Sequence, residues 1–500
     1  MRQRLAERFA DPEAAWSALR DLSRERSSLL APSGRARVVL AGLLPTLLEA
    51  IGRHTDPDRV LSNLRAALEH LGAKATVYEL WSEQPDALEL LVALAAGSDV
   101  LSTLLARHPG VFDEVIDRLL TRAPVHAQDV LSEVRFALTS AAPGPGQLEV
   151  WALYQLQIGI SDLGGRSNLQ NTARQLAEVS SGFLEAWLQY ALADTAGAHG
   201  GTPAGLQLAL LSLGKLGGRE LCYGSDVDLL AVYEAEGPAP DGTAPQVFCE
   251  AVLRKLLARA QAVAWGDAPP LELDFRLRPG GKSSPLAQSL EAVEGYYLAR
   301  GAGPHAHDFE RLALQKARAV AGSLELGQRA VDRVRRAIRG RDAAALGAEV
   351  ERMRELQRRA AAEHDLKRGR GSLSDVELST SALALLHLDP ARDEPNTLRA
   401  LHALQAAGAL EAGAYLALST GYAFLRRVEL RLRVQRFDAR PLLPLGHAKR
   451  RQLAHSLGYQ DAAVPAEEAF LGRAGPPPGA GGPALRGDLA PHAAWLESEA

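Results

Sequence analysis

The chain is 500 residues long, carries a formal net charge of −4 and is 47% hydrophobic. That length exceeds one compact core and implies about three domains, while the near-balanced charge gives no global basic field for a nucleic-acid partner. Cys222 and Cys249 are its only cysteines, which argues against a disulfide framework and for a reducing compartment. No apolar run reaches the roughly 20 residues that span a bilayer, and MRQRLAERF lacks the apolar centre of a signal peptide, so the expectation is a cytoplasmic chain with no membrane partner.

Residues 1–125 read as an N-terminal helical region. LAGLLPTLLEAIGRH, RVLSNLRAALEHLG, ALELLVALAAG and DVLSTLLARHPGVFDEVIDRLL carry apolar residues at three- and four-residue spacing. Asp99 is the expected N-cap of the last helix. Residues 126–200 continue as a helical lead-in after a break at AAPGPG, with QLAEVSSGFLEAWLQYALADTAG as one long amphipathic helix.

The next segment, 201–325, changes character. LQLALLSL and VDLLAVYE have the length and branching of buried strands, joined by a turn at Gly217-Gly218 where backbone can approach a ligand. Alternation along a strand puts Asp226 and Asp228 on one side, about 7 Å apart. Two such carboxylates repel unless a cation lies between them, and hard oxygen ligands suit Mg²⁺ with nucleotide phosphates completing its shell. LELDFRLRP is a further strand-like run, placing Asp274 with Arg276 and Arg278 and leading to Lys282 in a Gly/Ser turn. Between these strands, QVFCEAVLRKLLARAQAVAW reads as a helix. FERLALQKARAVAG reads as a helical run carrying Arg311, Gln315 and Arg318 on one face and Lys316 at its edge.

Residues 326–460 read as a C-terminal helical bundle, with LGAEVERMRELQRRAAAEHD as a charged surface helix and YLALSTGYAFLRRVELRLRVQ as a strongly amphipathic one. HDLKRGRGSLSDVELST interrupts it with Lys367, two glycines and a second acid-x-acid pair, Asp375 and Glu377, a loop able to fold back over a nucleotide. Residues 461–500 are Pro/Gly-rich and read as a disordered tail. Only seven lysines occur, and Lys215, Lys282, Lys316 and Lys367 all fall in these motifs. Such compact, reorientable ammonium groups suit phosphate.

A glycine turn, a D-x-D pair and a later strand aspartate resemble the nucleotidyltransferase fold of the DNA polymerase β type. GKLGGREL with SDVDL, DFRLRPGGKSSPL, ER-x-AL-x-KARAVAG and DLKRGRGSLSDVE, in that order, resemble the glutamine synthetase adenylyltransferase/adenylyl-removing enzyme family over roughly residues 35–458. The implied architecture is mainly α with one α/β (α+β) domain, a polymerase-β-type nucleotidyltransferase domain flanked by helical bundles. The family pairs two such units, one attaching AMP to a tyrosine of glutamine synthetase and one removing it by phosphorolysis. This chain has room for one, and its motifs resemble both.

The resemblance implies a Mg²⁺-dependent enzyme using ATP, with Asp226, Asp228 and Asp274 as catalytic metal ligands. Lys215, Gly217, Gly218, Ser225, Arg276, Arg278, Lys282, Arg311, Lys316 and Lys367 would bind nucleotide or phosphate. Glutamine synthetase is the implied partner, with a PII-type nitrogen signalling protein as a second. Transfer of AMP leads; removal of AMP and a non-catalytic scaffold binding glutamine synthetase are the alternatives. This chain departs from the family pattern at GPHAHDFER, which has His305 and His307 and no Trp, and at Gly371-Ser372 and Ser374.

Overall fold

The computed structural model describes residues 2–24, 34–69, 71, 74–139, 143–263, 271–298, 307–339, 342–389, 394–437 and 440–459. The proposed tail and His305 lie outside these. Most of the described chain is helical around one small mixed sheet, as the mainly α expectation requires. Among the described residues, no single helix is long and apolar enough to cross a membrane.

The N-terminal helices start where the sequence offers caps. Asp11, Asp56 and Ser98 accept hydrogen bonds from Ala14, Arg59 and Leu101 N–H groups, the first two directly before Pro12 and Pro57. Each satisfies a donor that the first helical turn leaves orphaned. Ser98, not Asp99, is the cap of its helix; Asp99 is the first helical residue. The expected helix over 99–120 divides into Asp99–Arg107, a short 3₁₀ turn and Phe112–Thr121. Pro109 pushes His108 out of the α region (φ −122°, ψ 61°) and ends the first piece. The expected break at AAPGPG is instead a helix start: Pro143–Leu163 begins within it, because a first turn tolerates a missing N–H.

The sheet contains β1 (Gln207–Ser212), β2 (Val227–Glu234), β3 (Leu273–Asp274), β4 (Ala287–Ser289) and β5 (Arg318–Gly322). β1 runs antiparallel to both β2 and β5, and the other edge of β2 carries β3 and then β4 in parallel. The helix Pro245–Ala262 makes the crossover that a parallel return to β2 needs. Both sheet faces are covered. Leu208 and Leu210 join one core with Phe248, Val252 and Leu184; Ala209 and Leu211 join another with Leu326, Ala330 and Val334. A sheet buried on both sides requires continuous apolar runs, the pattern seen at 208–211 and 229–232.

Two expected elements differ. LELDFRLRP forms only the two-residue β3, because Asp274 Oδ1 accepts the Arg276 N–H at 2.7 Å and turns the chain. The run 309–322 is not one helix: Asp308–Leu314 is helical and Arg318–Gly322 is β5. The open edge of β1 recruits the second half as a strand, so Arg311 and Arg318 do not share a face.

The C-terminal helix Ala412–Arg436 reaches both halves of the molecule. Val434 O accepts from Ser98 Oγ in the N-terminal array, while Arg433 Nη1 donates to Tyr223 O at 3.3 Å beside the D-x-D pair.

Candidate active site

The tip of β2 carries the acids. Asp226 precedes the strand and Asp228 lies in it, and the parallel register sets Asp228 opposite Asp274 of β3. One carboxylate oxygen from each of Asp226, Asp228 and Asp274 lies within 4.8 Å of the other two. Three hard anionic oxygens at that spacing fit a divalent cation such as Mg²⁺. Burial pushes the Asp228 carboxyl up to about 6, and the charges of Asp226 and Asp274 push the same way. Burial would raise Asp274 too, but the side-chain and backbone hydrogen bonds from Arg276 outweigh it and hold that carboxyl below its ordinary value.

Gly214 is the glycine that makes room for these acids. It has φ +52°, and a Cβ there would sit 2.6 Å from Asp228 Oδ2. Gly217 and Gly218 serve packing: a Cβ on Gly217 would lie 2.0 Å from the Lys316 carbonyl, and one on Gly218 would lie 2.8 Å from the Pro395 carbonyl. Reading G-x-x-G-G as one motif would have found Gly214, three residues upstream of the pair.

The basic candidates divide into two groups. Arg276 pairs with Asp274, its side chain still 64% exposed. Lys282 is exposed on the turn after β3, and its charge acts on Asp274. Lys367, on the loop joining two C-terminal helices, acts on Asp228. These three cations lie close enough for their charges to act on the acids. The others are turned inward. Arg278 donates to the Phe275, Lys282 and Ser284 carbonyls and locks that turn. Buried Arg311 donates to the Tyr297 carbonyl at 2.6 Å.

Lys215, Lys316 and Ser225 belong to a buried polar network that ties the acid-bearing loop to the helix Ala412–Arg436. Lys215 Nζ lies 2.6 Å from Glu429 Oε1, and Arg426 and Arg433 also pair with Glu429. Burial would raise the Glu429 carboxyl, but Lys215, Arg426 and Arg433 outweigh it and hold it well below the usual carboxylate range. Lys316 Nζ donates to Glu220 Oε2 at 2.7 Å and to Thr397 Oγ1 at 2.8 Å. Tyr422 Oη lies 2.9 Å from Glu377 Oε1 and 3.2 Å from Glu220 Oε1, placing its one proton between two carboxylates, and Ser225 Oγ accepts from Arg433 at 3.2 Å.

Sequence reasoning missed Glu220, Arg426, Glu429 and Arg433. For the last three the signal was present in YAFLRRVELRLR: Tyr422, Arg426, Glu429 and Arg433 recur at helical spacing on the stripe that is buried. The second acid-x-acid pair is likewise internal. Asp375 accepts the Gly371 N–H and pairs with Arg354 and Arg358, while Glu377 meets Tyr422. Positions i and i+2 of a helix do not face each other, so these acids cannot jointly cover a nucleotide.

Residues 88–333 match the family described as Glutamate-ammonia ligase adenylyltransferase, and residues 343–474 match that described as GlnD PII-uridylyltransferase. The chain is 32% identical over 453 residues to the bifunctional glutamine synthetase adenylyltransferase/adenylyl-removing enzyme of Stenotrophomonas maltophilia strain K279a, covering 87% of this chain and 47% of the relative. The enzyme of the same name from Xanthomonas axonopodis pv. citri is 34% identical over 415 residues, covering 78% and 43%. That from Streptomyces avermitilis is 32% identical over 430 residues, covering 83% and 41%. The chain spans about half the length of the curated relatives it matches.

Proposed function

The chain belongs to the glutamine synthetase adenylyltransferase/adenylyl-removing enzyme family, and from that premise we propose that it transfers AMP from ATP to a tyrosine of glutamine synthetase on a polymerase-β-type nucleotidyltransferase fold. The observation that carries this reading is the convergence of Asp226, Asp228 and Asp274 within 4.8 Å at the sheet tip, with the charges of Arg276, Lys282 and Lys367 acting on them. The three carboxylates would hold Mg²⁺, which when bound neutralises phosphate charge and favours loss of the attacking hydroxyl's proton.

The chain's own residues then have distinct tasks. Arg276, Lys282 and Lys367 are exposed or partly exposed cations that can contact the triphosphate and offset its charge. Gly214 keeps the approach to Asp228 clear of a side chain. The buried pairs of Lys215 with Glu429 and of Lys316 with Glu220 hold the loop from which Asp226 and Asp228 project. In the transfer, the tyrosine oxygen forms a bond to the α-phosphorus, the α–β anhydride bond breaks, pyrophosphate leaves and the phenolic proton is lost. The nucleophile comes from the partner, so no Ser/His/Asp or Cys/His constellation is required of this chain.

A PII-type signalling protein is the second proposed partner, supported by the match of residues 343–474 to the PII-uridylyltransferase family. A cytoplasmic setting follows from these partners. The test is label transfer: the protein, glutamine synthetase from the same organism, Mg²⁺ and ATP labelled at the α-phosphate, beside an Asp226→Asn/Asp228→Asn control. Label on a synthetase tyrosine, absent in the control, supports adenylylation. ADP released from adenylylated synthetase and phosphate, with no label transfer, reverses the direction. Silence in both assays refutes the catalytic reading and leaves a scaffold.

A further inference from the structure

A cavity of about 250 Å³ opens beside the Gly217–Arg219 turn. None of the three acids lines it, and neither do Arg276, Lys282 or Lys367. Its walls are the first turn of the helix Leu169–Ala198, the start of β5 and the segment 394–399 leading into the helix Thr397–Ala406. Four arginines line it, Arg174, Arg219, Arg318 and Arg399, against one carboxylate, Glu394.

That positive charge is poorly compensated. Arg219 reaches Glu178 only at 3.9 Å and Arg399 reaches Glu394 only at 3.8 Å, both at the outer edge of an ion pair. Glu394 Oε1 also accepts the Asn396 N–H. Arg318 donates to the Leu216 and Gly217 carbonyls, which hold its planar fork in place without neutralising it. Burial, with the like charge of Arg219 beside it, pushes that guanidinium down to about 10. The N-terminal ends of two helices, 30 and 10 residues long, meet at the same cavity and add their positive dipole ends.

We propose that this cavity is a binding site for a small molecule bearing an oxyanion, a phosphate or a carboxylate group, separate from the acid cluster. Guanidinium forks match both groups bidentately, and converging cations in a recess are stabilised by an anion more than at an open surface. The floor of the cavity is structurally tied to the acid-bearing loop. Asn396 Nδ2 donates to the Gly218 carbonyl, and Glu220, two residues further on, accepts the Thr397 N–H. An anion bridging Arg219 and Arg399 would clamp the turn to that segment.

The test is isothermal titration of the full chain, without Mg²⁺ or ATP, with inorganic phosphate and separately with succinate. Two variants are compared: Arg174→Gln/Arg399→Gln, changing exposed side chains of the cavity, and Arg276→Gln/Lys282→Gln, changing exposed side chains at the acids. Circular dichroism and thermal unfolding without ligand confirm that both fold. Saturable binding of at least one probe by the unaltered chain is expected, weakened at least tenfold in the first variant and within about twofold in the second. The probe that binds identifies the source as phosphate-bearing or carboxylate-bearing. Absence of saturable binding by either probe overturns the proposal. So does binding lost in the second variant and kept in the first, which would place the anion at the acid cluster.

Discussion

Replacing Glu429 by Gln keeps the shape of a fully buried side chain and removes one charge from the network behind the acids. Three cations converge there: Lys215 at 2.6 Å, Arg433 at 3.4 Å and Arg426 in close contact. The surrounding network sets four cations, Lys215, Lys316, Arg426 and Arg433, against three carboxylates, Glu220, Glu377 and Glu429. Glu429→Gln leaves four against two. Stripping a partner from buried charges costs about 3–5 kcal/mol. Lys215→Met instead leaves three against three, and Glu429 keeps both arginines, so about 1–2 kcal/mol is expected, in the ordinary range for one substitution. Urea denaturation followed by tryptophan fluorescence reads both, as a large fall in the midpoint for Glu429→Gln and a small one for Lys215→Met. Mg²⁺-dependent ATP binding should weaken with the first and change little with the second, because Lys215 faces Glu429 and not the acids. If Glu429→Gln lies within about 1 kcal/mol of the unaltered chain, or if Lys215→Met is the costlier change, the network is not what holds the loop.

Asp228→Asn should lower label transfer by at least about 100-fold while raising the thermal stability of the metal-free chain, since it removes like-charge repulsion among three acids; a loss of both would point to misfolding. Asp228 titrates near 6 in the fold and near 3.8 when free. The folded state binds this proton more tightly, so the metal-free stability it contributes is full below about pH 4 and lost as pH rises through about 6. Mg²⁺ needs the ionised form, so its affinity should fall about tenfold from pH 7 to pH 5; a flat profile by titration calorimetry would contradict the assignment. Gly214→Ala meets both a left-handed backbone and Asp228 Oδ2. It should cost about 1–2 kcal/mol and weaken Mg²⁺ binding, whereas Gly42→Ala, with open space around it, should do neither.

Local pattern was enough to pick out β1, β2 and the three acids. Both faces of β1 and β2 are covered, which demands unbroken apolar sequence whatever covers them, and 208–211 and 229–232 supply it. Residue type and spacing marked Asp226, Asp228 and Asp274 as candidates, but Asp274 meets the other two only through the parallel pairing of β3 with β2, across the intervening helix Pro245–Ala262. Tertiary structure decided everything that depends on a distant partner. Residues 318–322 have a helical pattern but complete the open edge of β1, a pairing over a hundred residues apart in sequence that local propensity does not encode. The fate of each cation was decided the same way. Arg276 and Lys282 remain exposed near the acids, while Lys215 and Lys316, equally suited to phosphate as residue types, meet Glu429 and Glu220 inside the protein. A lysine's chemistry is written in its side chain. Which anion Lys215 finds depends on Glu429 of the helix Ala412–Arg436, 214 residues further along the chain, and only folding brings that helix to it.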